Sequence, residues 1–161
     1  MLVLGIDPGL VTTGYGLIQV KNNSSSIIDY GTISPKQSDS LSQRLNTIYE
    51  DVSYIINKYK PNIMAIEEVF YGKNVKSALR LGHARGVSMV CASKNNISVY
   101  EYSARKVKQS ITGNGAAHKS QVQFMIIKEF NLGNIKFSTD ASDAIAIALC
   151  HINQIKLGEL W

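Results

Sequence analysis

Four carboxylates in this sequence lie among apolar residues: Asp7, Glu67, Asp140 and Asp143. An ionised carboxylate in such surroundings is costly to desolvate unless a cation, a hydrogen-bond network or a proton accompanies it. Asp140 and Asp143 are three residues apart at the start of a helical pattern, so their side chains share one helix face. Oxygen ligands without a histidine or thiolate cluster suit Mg²⁺ or Mn²⁺ better than zinc. The four residues therefore form a candidate site for divalent metal ions.

Each carboxylate also has a purely structural explanation. Asp140 could cap a helix, with Asp143 as the third residue of a capping box. Asp7 precedes a Pro-Gly turn and could hydrogen-bond the backbone of that turn. Glu67 could lie exposed on a strand. Because strand side chains alternate, Glu67 and Glu68 point to opposite faces, and only one of them can join the cluster.

The hydrophobic pattern predicts the elements that must carry these residues. Five segments have the pattern of strands, the first three as an antiparallel meander: 2–7, 13–20, 26–35, 63–70 and 97–103. Four segments have the pattern of helices: 41–59, 77–94, 121–130 and 140–155. Strands first, then strands alternating with helices, predict an α/β fold with a mixed five-stranded sheet and helices on both faces. Asp7 then ends a central strand of that sheet.

Length and composition limit the class of protein. The 161 residues, 45% of them apolar, predict a single domain over 1–161. No stretch approaches the roughly 20 apolar residues of a spanning helix, so we expect a soluble, cytoplasmic protein with no membrane partner. Cys91 and Cys150 lie outside any Cys-x-x-Cys pair, which argues against a disulfide framework or a thiolate zinc site. The helix at 77–94 is rich in small residues and is our candidate for a dimer contact, with packing on the protein's own sheet as the alternative.

Basic residues are concentrated in the middle of the chain. Between residues 73 and 119 there are nine of them and one acidic residue, Glu101. The nine are Lys73, Lys76, Arg80, Arg85, Lys94, Arg105, Lys106, Lys108 and Lys119. Such segregation favours a positive surface beside the carboxylates, as expected where a polyanion is held near a metal site. A solvated, lysine-rich surface would have the same composition.

Six segments resemble, in the same order, those of the RuvC family of crossover junction resolvases: GIDPG, AIEEVFYGKN, SALRLGHARGV, EYSARKVKQSITGNG, KSQVQ and DASDAIAIA. Together they span nearly the whole chain, which is far more specific than any lone short motif. The resemblance implies a ribonuclease H-like fold and a homodimer acting in DNA recombination and repair. Such a dimer nicks two strands of like polarity in a four-way (Holliday) junction and leaves 5′-phosphate and 3′-hydroxyl ends. Partnership with the RuvA and RuvB branch-migration proteins is implied as well.

The resemblance also implies roles for particular residues. The family's catalytic and metal-binding carboxylates fall on Asp7, Glu67, Asp140 and Asp143, whereas Glu68 stands where relatives often carry glutamine. Family lysines near the scissile phosphate fall on Lys108 and Lys119. The aromatic residue that stacks on opened bases falls on Phe70, which would otherwise be assigned to the core. The DNA contacts expected in all are Phe70, Tyr71, Lys73, Lys76, Arg80, Arg105, Lys108 and Lys119.

Phosphodiester hydrolysis at such a site would use two Mg²⁺ ions, with Mn²⁺ able to substitute, held roughly 4 Å apart by shared carboxylates. In ribonuclease H-like sites the first-strand aspartate bridges the two ions, and Asp7 holds that position here. Lys119 follows the turn at 113–115 and could act as a catalytic residue by stabilising charge that accumulates on the phosphate. A solvated lysine at a helix start is the alternative.

Two other functions match parts of the sequence. GIDPGLVTTGYGL resembles a phosphate-binding hairpin of actin-like and sugar-kinase-like ATPases. Those enzymes use two such domains, and Tyr15 stands where a P-loop would have its lysine. The other is an inactive junction-binding module, but four carboxylates near a bound phosphate would weaken a protein that only binds DNA. Both observations favour the nuclease.

Overall fold

The computed structural model describes residues 1–22, 24–68, 75–133 and 137–158. They contain a five-stranded sheet in the order β3-β2-β1-β4-β5. Its strands are β1 (Leu2–Asp7), β2 (Thr13–Lys21), β3 (Ser24–Ile33), β4 (Ile63–Glu67) and β5 (Ser98–Tyr102). β1, β2 and β3 pair antiparallel, whereas β4 and β5 run parallel to β1. The predicted meander and the predicted mixed sheet are confirmed.

Two helices, α1 (Leu41–Tyr59) and α2 (Val75–Lys94), cover one face of the sheet. α1 starts after the N-cap Ser40, whose side chain accepts a hydrogen bond from a backbone N–H of the first turn, and it ends before Pro61. Leu4 and Ile6 of β1 are fully buried in the core on this side. These contacts fix the C-terminal half of β1 against α1 and α2.

Three helices lie on the other face: α3 (Ala104–Thr112), α4 (Lys119–Glu129) and α5 (Thr139–Lys156). Val3 of β1 is buried on this side, whereas its neighbour Leu4 is buried on the other. Side chains alternate along a strand, so Asp7 points to the same face as Val3, the face that α5 covers. Helices on both faces were predicted, and this is confirmed. No helix in the described part of the chain is long and apolar enough to cross a membrane.

α5 packs directly on the backbone of β1 and β2. A Cβ atom added at Gly5 would lie 2.0 Å from the backbone oxygen of Ala144, and one added at Gly14 would lie 2.0 Å from the backbone oxygen of Asp140. Both distances are far inside van der Waals contact, so any other residue would push the helix away from the sheet. The helix that carries Asp140 and Asp143 therefore lies as close to the sheet as glycine alone permits.

We expect Gly5→Ala to lower the free energy of unfolding by about 1–3 kcal/mol, because the added methyl group overpacks a site whose neighbour is rigid helix backbone. Urea denaturation at constant pH measures this change. An unfolding free energy within about 0.5 kcal/mol of the wild-type value, the range of an ordinary surface substitution, would contradict the close approach of α5 to β1.

The hydrophobic pattern does not predict α3. Val107 and Ile111 lie four residues apart on one face and are buried, but the helix has only nine residues, fewer than a periodic pattern needs to predict a helix. Its start depends on Ser103, whose side chain accepts a hydrogen bond from the Lys106 backbone N–H. A helix this short is marginal on its own, so α3 depends on packing against α5 for its stability.

A buried polar contact ties β5 to α5. The hydroxyl of Tyr102 lies 2.7 Å from Nδ1 of His151. Burial lowers the pKa of His151 to about 4, so this imidazole is neutral near pH 7. Tyr102 pairs in register with Glu67 of β4. The contact therefore fixes the strand beside Glu67 relative to the helix above it.

Candidate functional site

One cavity of about 100 Å³ lies at the ends of β1 and β4. Asp7 is the last residue of β1 and Glu67 the last residue of β4. These strands are parallel neighbours, with Ile6 paired to Ile66, so the two carboxylates come together at one edge of the sheet. Asp143 of α5 joins them from above the sheet face. Three separate elements therefore bring three carboxylates into one cavity.

Several contacts position the end of β4. Nε of Arg85 in α2 donates to the backbone oxygen of Glu67 at 3.3 Å, and the same guanidinium forms an ion pair with Glu101 of β5. The backbone N–H of Glu68 donates to the oxygen of Tyr102 at 2.9 Å. Glu67 lines the cavity, whereas Glu68 is exposed and is not among its lining residues. The prediction that only one of these two glutamates can join the cluster is confirmed.

Burial and mutual repulsion make this site unfavourable for bare negative charge. Burial, the charge of Glu67, a hydrogen bond to Glu67 and the charge of Asp143 raise the pKa of Asp7 to about 8, while Lys119 opposes the rise. Burial likewise raises the pKa of Glu67. The two carboxyl groups can therefore share a proton near neutral pH, as closely spaced carboxylates do. A bound cation would remove the same repulsion.

Two lysines face the carboxylates. Nζ of Lys119 lies 2.5 Å from Oδ2 of Asp143. This lysine side chain is 66% exposed and its partner 23% exposed, so the ammonium lies at the mouth of the cavity. The bond to Asp143 raises the pKa of Lys119, and partial burial opposes the rise. Lys108 of α3 lines the same cavity. The cavity therefore offers a negatively charged ligand two cations beside the carboxylates.

The cavity has an apolar wall. Its remaining lining residues are Ala104, Val107, Val122, Ala146 and Ile147, from α3, α4 and α5. These side chains offer no competing ligands and exclude water from the back of the site, which strengthens electrostatic interactions there. The helix that the sequence pattern does not predict, α3, supplies both part of this wall and Lys108.

Asp140 lies apart from the cavity. It is half-buried in the first turn of α5, beside Gly14 of β2, and it is not one of the residues that line the cavity. In the described part of the chain, no three His, Cys, Asp or Glu side chains already form a metal-binding group. Of the four predicted carboxylates, the structure brings three together.

Two of the structural explanations for the carboxylates are wrong. The N-cap of α5 is Ser138, whose side chain accepts from the Ala141 backbone N–H, so Asp140 and Asp143 do not form a capping box. The turn after β1 is closed by Thr13, whose hydroxyl bonds both the N–H and the carbonyl of Gly9. The side-chain hydrogen bond found for Asp7 in the described structure goes to Glu67 instead.

The predicted DNA contacts are distributed over a wider surface. Phe70, Tyr71 and Lys73 lie outside the described residues, and Lys76 lies in α2 with a side chain that is not described. Arg105 is exposed on α3 and lies against Gly115. Arg80 is exposed on α2, where it lines a second, larger cavity.

This second cavity, of about 380 Å³, contains residues that sequence reasoning missed. Besides Arg80 it is lined by Arg44 and His83. Arg44 lies in an amphipathic stretch of α1, where the sequence pattern indicates an ordinary solvated residue. Arg44 is distinguished from its neighbours only by a tertiary contact, because its side chain donates to the backbone oxygen of Leu10 in the loop after β1.

Comparisons with known proteins agree with the geometry. The family model described as crossover junction endodeoxyribonuclease RuvC matches residues 3–151. The RuvC of Halothermothrix orenii is 45% identical over 162 residues, covering 100% of this chain and 98% of the relative. The RuvC of Saccharophagus degradans is 50% identical over 152 residues, covering 94% of this chain and 87% of the relative.

A solved structure of Thermus thermophilus RuvC in complex with a Holliday junction substrate has a TM-score of 0.91 to this fold. It is 29% identical in sequence, and the match covers 98% of this chain and 96% of that one. The ribonuclease H-like fold implied by the sequence resemblance is thus confirmed. The family model matches residues 3–151, and these two relatives are at least 45% identical over most of their length. The chain therefore belongs to the RuvC family of crossover junction endodeoxyribonucleases.

Proposed function

We propose that this protein resolves four-way DNA junctions by nicking two strands of like polarity at the cavity of Asp7, Glu67 and Asp143. The observation that carries the proposal is the convergence of three carboxylates and two lysines, from five different elements, on one cavity of about 100 Å³. Carboxylates suit metal binding, and lysines at the mouth suit a phosphate. Metal-assisted hydrolysis of a phosphodiester can use both.

The residues present fit Mg²⁺, with Mn²⁺ as a substitute. The donor set consists of carboxylate oxygens, and hard divalent cations prefer such ligands. Asp7 and Glu67 crowd negative charge in a desolvated position, which a dication relieves. We propose that Asp7, Glu67 and Asp143 would hold two ions per site, with Asp7 shared between them, whereas Asp140, which lies outside the cavity lining, stays a ligand predicted from the family resemblance. Bound there, the ions supply activation of a water and stabilisation of the leaving 3′ oxygen.

The protein's own part in the reaction is to place the phosphate and meet its charge. Lys119 at the mouth and Lys108 beside it can donate hydrogen bonds to non-bridging phosphate oxygens. The ammonium of Lys119 is preorganised by its bond to Asp143, so little reorganisation is needed as negative charge accumulates. The apolar wall keeps competing water away from the reacting phosphorus.

Purified protein incubated with a synthetic four-way junction, with and without Mg²⁺, tests this function. We expect paired nicks at symmetric positions in two strands of like polarity, only when metal is present. DNA ligase should reseal the nicked products, because ligation requires adjacent 5′-phosphate and 3′-hydroxyl ends. Equal cleavage of a linear duplex, or nicks unrelated by symmetry, would contradict the proposal.

The proposed base stacking by Phe70 gives a separate prediction. We expect Phe70→Ala to reduce the cleavage rate more than junction affinity, because stacking would act mainly by holding opened bases in the productive geometry. Gel shifts in EDTA measure affinity, and single-turnover cleavage in Mg²⁺ measures the rate. If affinity and cleavage rate fall equally and the melting temperature is lower, Phe70 is a core residue and not a base-stacking residue.

We also propose that the protein is a homodimer, since a junction offers two equivalent strands and paired nicks need two sites. A groove between α1 and α2 suits the contact, because Gly82 and Gly86 leave it open and Val90, 52% exposed, forms part of its apolar lining. Two copies of α2 could approach closely there, as the composition of this helix predicts. Partnership with RuvA and RuvB is a further proposal, supported by the family resemblance.

Val90→Asp tests the dimer. We expect the variant to be monomeric at micromolar concentration, because an unpaired carboxylate buried in an apolar contact is strongly unfavourable. Light scattering coupled to gel filtration measures the mass. Phe124→Asp is the matched control, since Phe124 is similarly exposed (63%) but lies on α4, on the other face of the sheet. If the dimer persists in Val90→Asp and dissociates in Phe124→Asp, the interface lies on α4 and the proposed contact through α2 is wrong.

A further inference from the structure

The second cavity lies at the same end of the sheet as the carboxylates but on its other face. Leu10 and Val11 line it, and they follow Asp7 by three and four residues. Three residues of chain span at most about 11 Å. α1 and α2 supply the rest of the lining, whereas α5 covers the carboxylates. A DNA strand crossing this end of the sheet could therefore contact both cavities.

Charge in this cavity has one sign. Arg44, Arg80 and His83 line it together with Gln37, and no Asp or Glu appears among its described lining residues. The first turn of α1, which borders it, also contains no acidic residue. The positive end of that helix dipole adds to the field of the two guanidinium groups. The cavity therefore favours an anion.

The guanidinium of Arg44 is fixed by one hydrogen bond but has an unused donor. Its Nη2 donates to the backbone oxygen of Leu10 at 2.6 Å, which fixes the guanidinium against the loop after β1. Its Nε is buried and has no hydrogen-bond partner among the described residues, and no described carboxylate pairs with this arginine. A partly buried guanidinium without a counterion is costly. A phosphate in the cavity would supply that counterion.

The cavity lining also contains exposed apolar surface. Val11 is 58% exposed beside the guanidinium groups. A sugar–phosphate backbone presents the matching combination, a charged phosphate flanked by the apolar faces of deoxyribose. The volume of about 380 Å³ lies within the range of small-molecule sites.

We propose that Arg44, Arg80 and His83 form a second phosphate subsite, which binds a backbone phosphodiester of the junction away from the one that is cut. This inference rests on the proposed function, since it takes junction DNA as the substrate. His83 also lines the α1–α2 groove, so in a dimer formed there the two subsites lie beside the contact between the two copies.

Arg80→Gln tests the subsite, with Lys21→Gln as the control of equal charge change. Lys21 ends β2 at the opposite edge of the sheet, near the start of β1. Binding to an uncleaved four-way junction is titrated in EDTA between roughly 50 and 200 mM salt. We expect Arg80→Gln to reduce the slope of log K against log salt by about 1, and Lys21→Gln to leave it unchanged. Equal slopes for all three proteins would overturn the proposal.

A set of junctions, each with one neutral methylphosphonate linkage, then locates the contacted phosphate. The linkage that the subsite binds should weaken wild-type binding but should not weaken binding by Arg80→Gln further, because the contact is already lost. Arg44→Lys keeps the charge but lacks the planar guanidinium. We expect that the same neutral linkage will cause no further loss of binding in this variant. If every linkage remains as costly in Arg80→Gln as in the wild type, the subsite does not exist.

Two further outcomes are distinguishable. If inorganic phosphate raises the melting temperature of the wild type but not of Arg80→Gln, while the salt slopes are equal, the cavity binds a free anion and not DNA. If the junction binds with the expected slopes but is never cut in Mg²⁺, the nuclease proposal fails and the subsite stands. Cleavage combined with equal slopes removes the subsite alone.

Discussion

Asp7→Asn is expected to abolish junction cleavage while leaving junction affinity in EDTA equal to or higher than that of the wild type. Asparagine preserves the size of the side chain and removes the charge that a shared metal ligand must supply. The pKa of Asp7 in the metal-free protein is about 8, so near pH 7 this carboxyl is already largely protonated and asparagine leaves the affinity level. Where Asp7 is ionised it repels the DNA phosphates, so its neutralisation favours binding. Loss of activity without loss of affinity is the signature of a metal ligand.

Stability in EDTA provides a second readout for Asp7→Asn. The pKa of Asp7 in the folded protein, about 8, lies above its ordinary value of 3.8, so the folded state holds a proton that the unfolded state releases. The wild type should therefore lose stability as the pH rises from about 4 towards 8, and Asp7→Asn should remove much of that slope. Urea denaturation at pH 6, 7 and 8 measures it.

Asp51→Asn is the matched control, since Asp51 is exposed on α1 and far from the cavity in the fold. It should cut at the wild-type rate. If Asp7→Asn still cuts at about a tenth of the wild-type rate, the loss would amount to only about 1.4 kcal/mol of barrier, far too little for a shared metal ligand. Combined loss of folding and binding would instead make Asp7 a structural residue.

Lys119→Ala is expected to lower the single-turnover cleavage rate by about 10²-fold or more. Removal of one preorganised donor to a charged transition state typically has an effect of this size. The lysine end of the ion pair with Asp143 is 66% exposed, so its loss should change the unfolding free energy by about 1 kcal/mol at most. The rate should therefore fall in a protein that is still folded.

Lys128→Ala, on the exposed surface of the same helix, controls for the loss of positive charge. Lys119→Arg should recover part of the rate, because a guanidinium also donates to phosphate oxygens. An unchanged rate for Lys119→Ala, together with a flatter salt dependence of binding, would reduce Lys119 to a backbone contact.

The central strands of the sheet could be predicted because they are buried on both faces. The run 2–7 is almost wholly apolar and coincides with β1. β4, in contrast, ends at Glu67, whereas the apolar run predicts a strand to 70, of which residues 69 and 70 lie outside the described residues. α3 escaped prediction because a short polar helix with two buried residues depends on tertiary packing.

The candidate site was predictable in its residue types but not in its geometry. Apolar surroundings and the family resemblance both pointed to the four carboxylates. Residues three apart on a helix are about 60° apart around its axis, given 3.6 residues per turn, so the orientation of α5 decides which one enters the cavity. That orientation follows from the close packing of α5 on Gly5 and Gly14, which no local pattern shows. Asp143 therefore lines the cavity and Asp140 does not.

The glycine contacts beneath α5 also bear on which DNA the enzyme can use. A helix that rests on bare backbone has no side-chain layer to yield, so Asp143 cannot shift along the sheet to follow a misplaced phosphate. The adjustment must then come from the nucleic acid. A straight duplex pays elastic energy to bend its backbone into a narrow site, whereas a junction already turns sharply where its arms exchange strands. The rigid packing of α5 on the sheet therefore favours binding of bent junction DNA over a straight duplex.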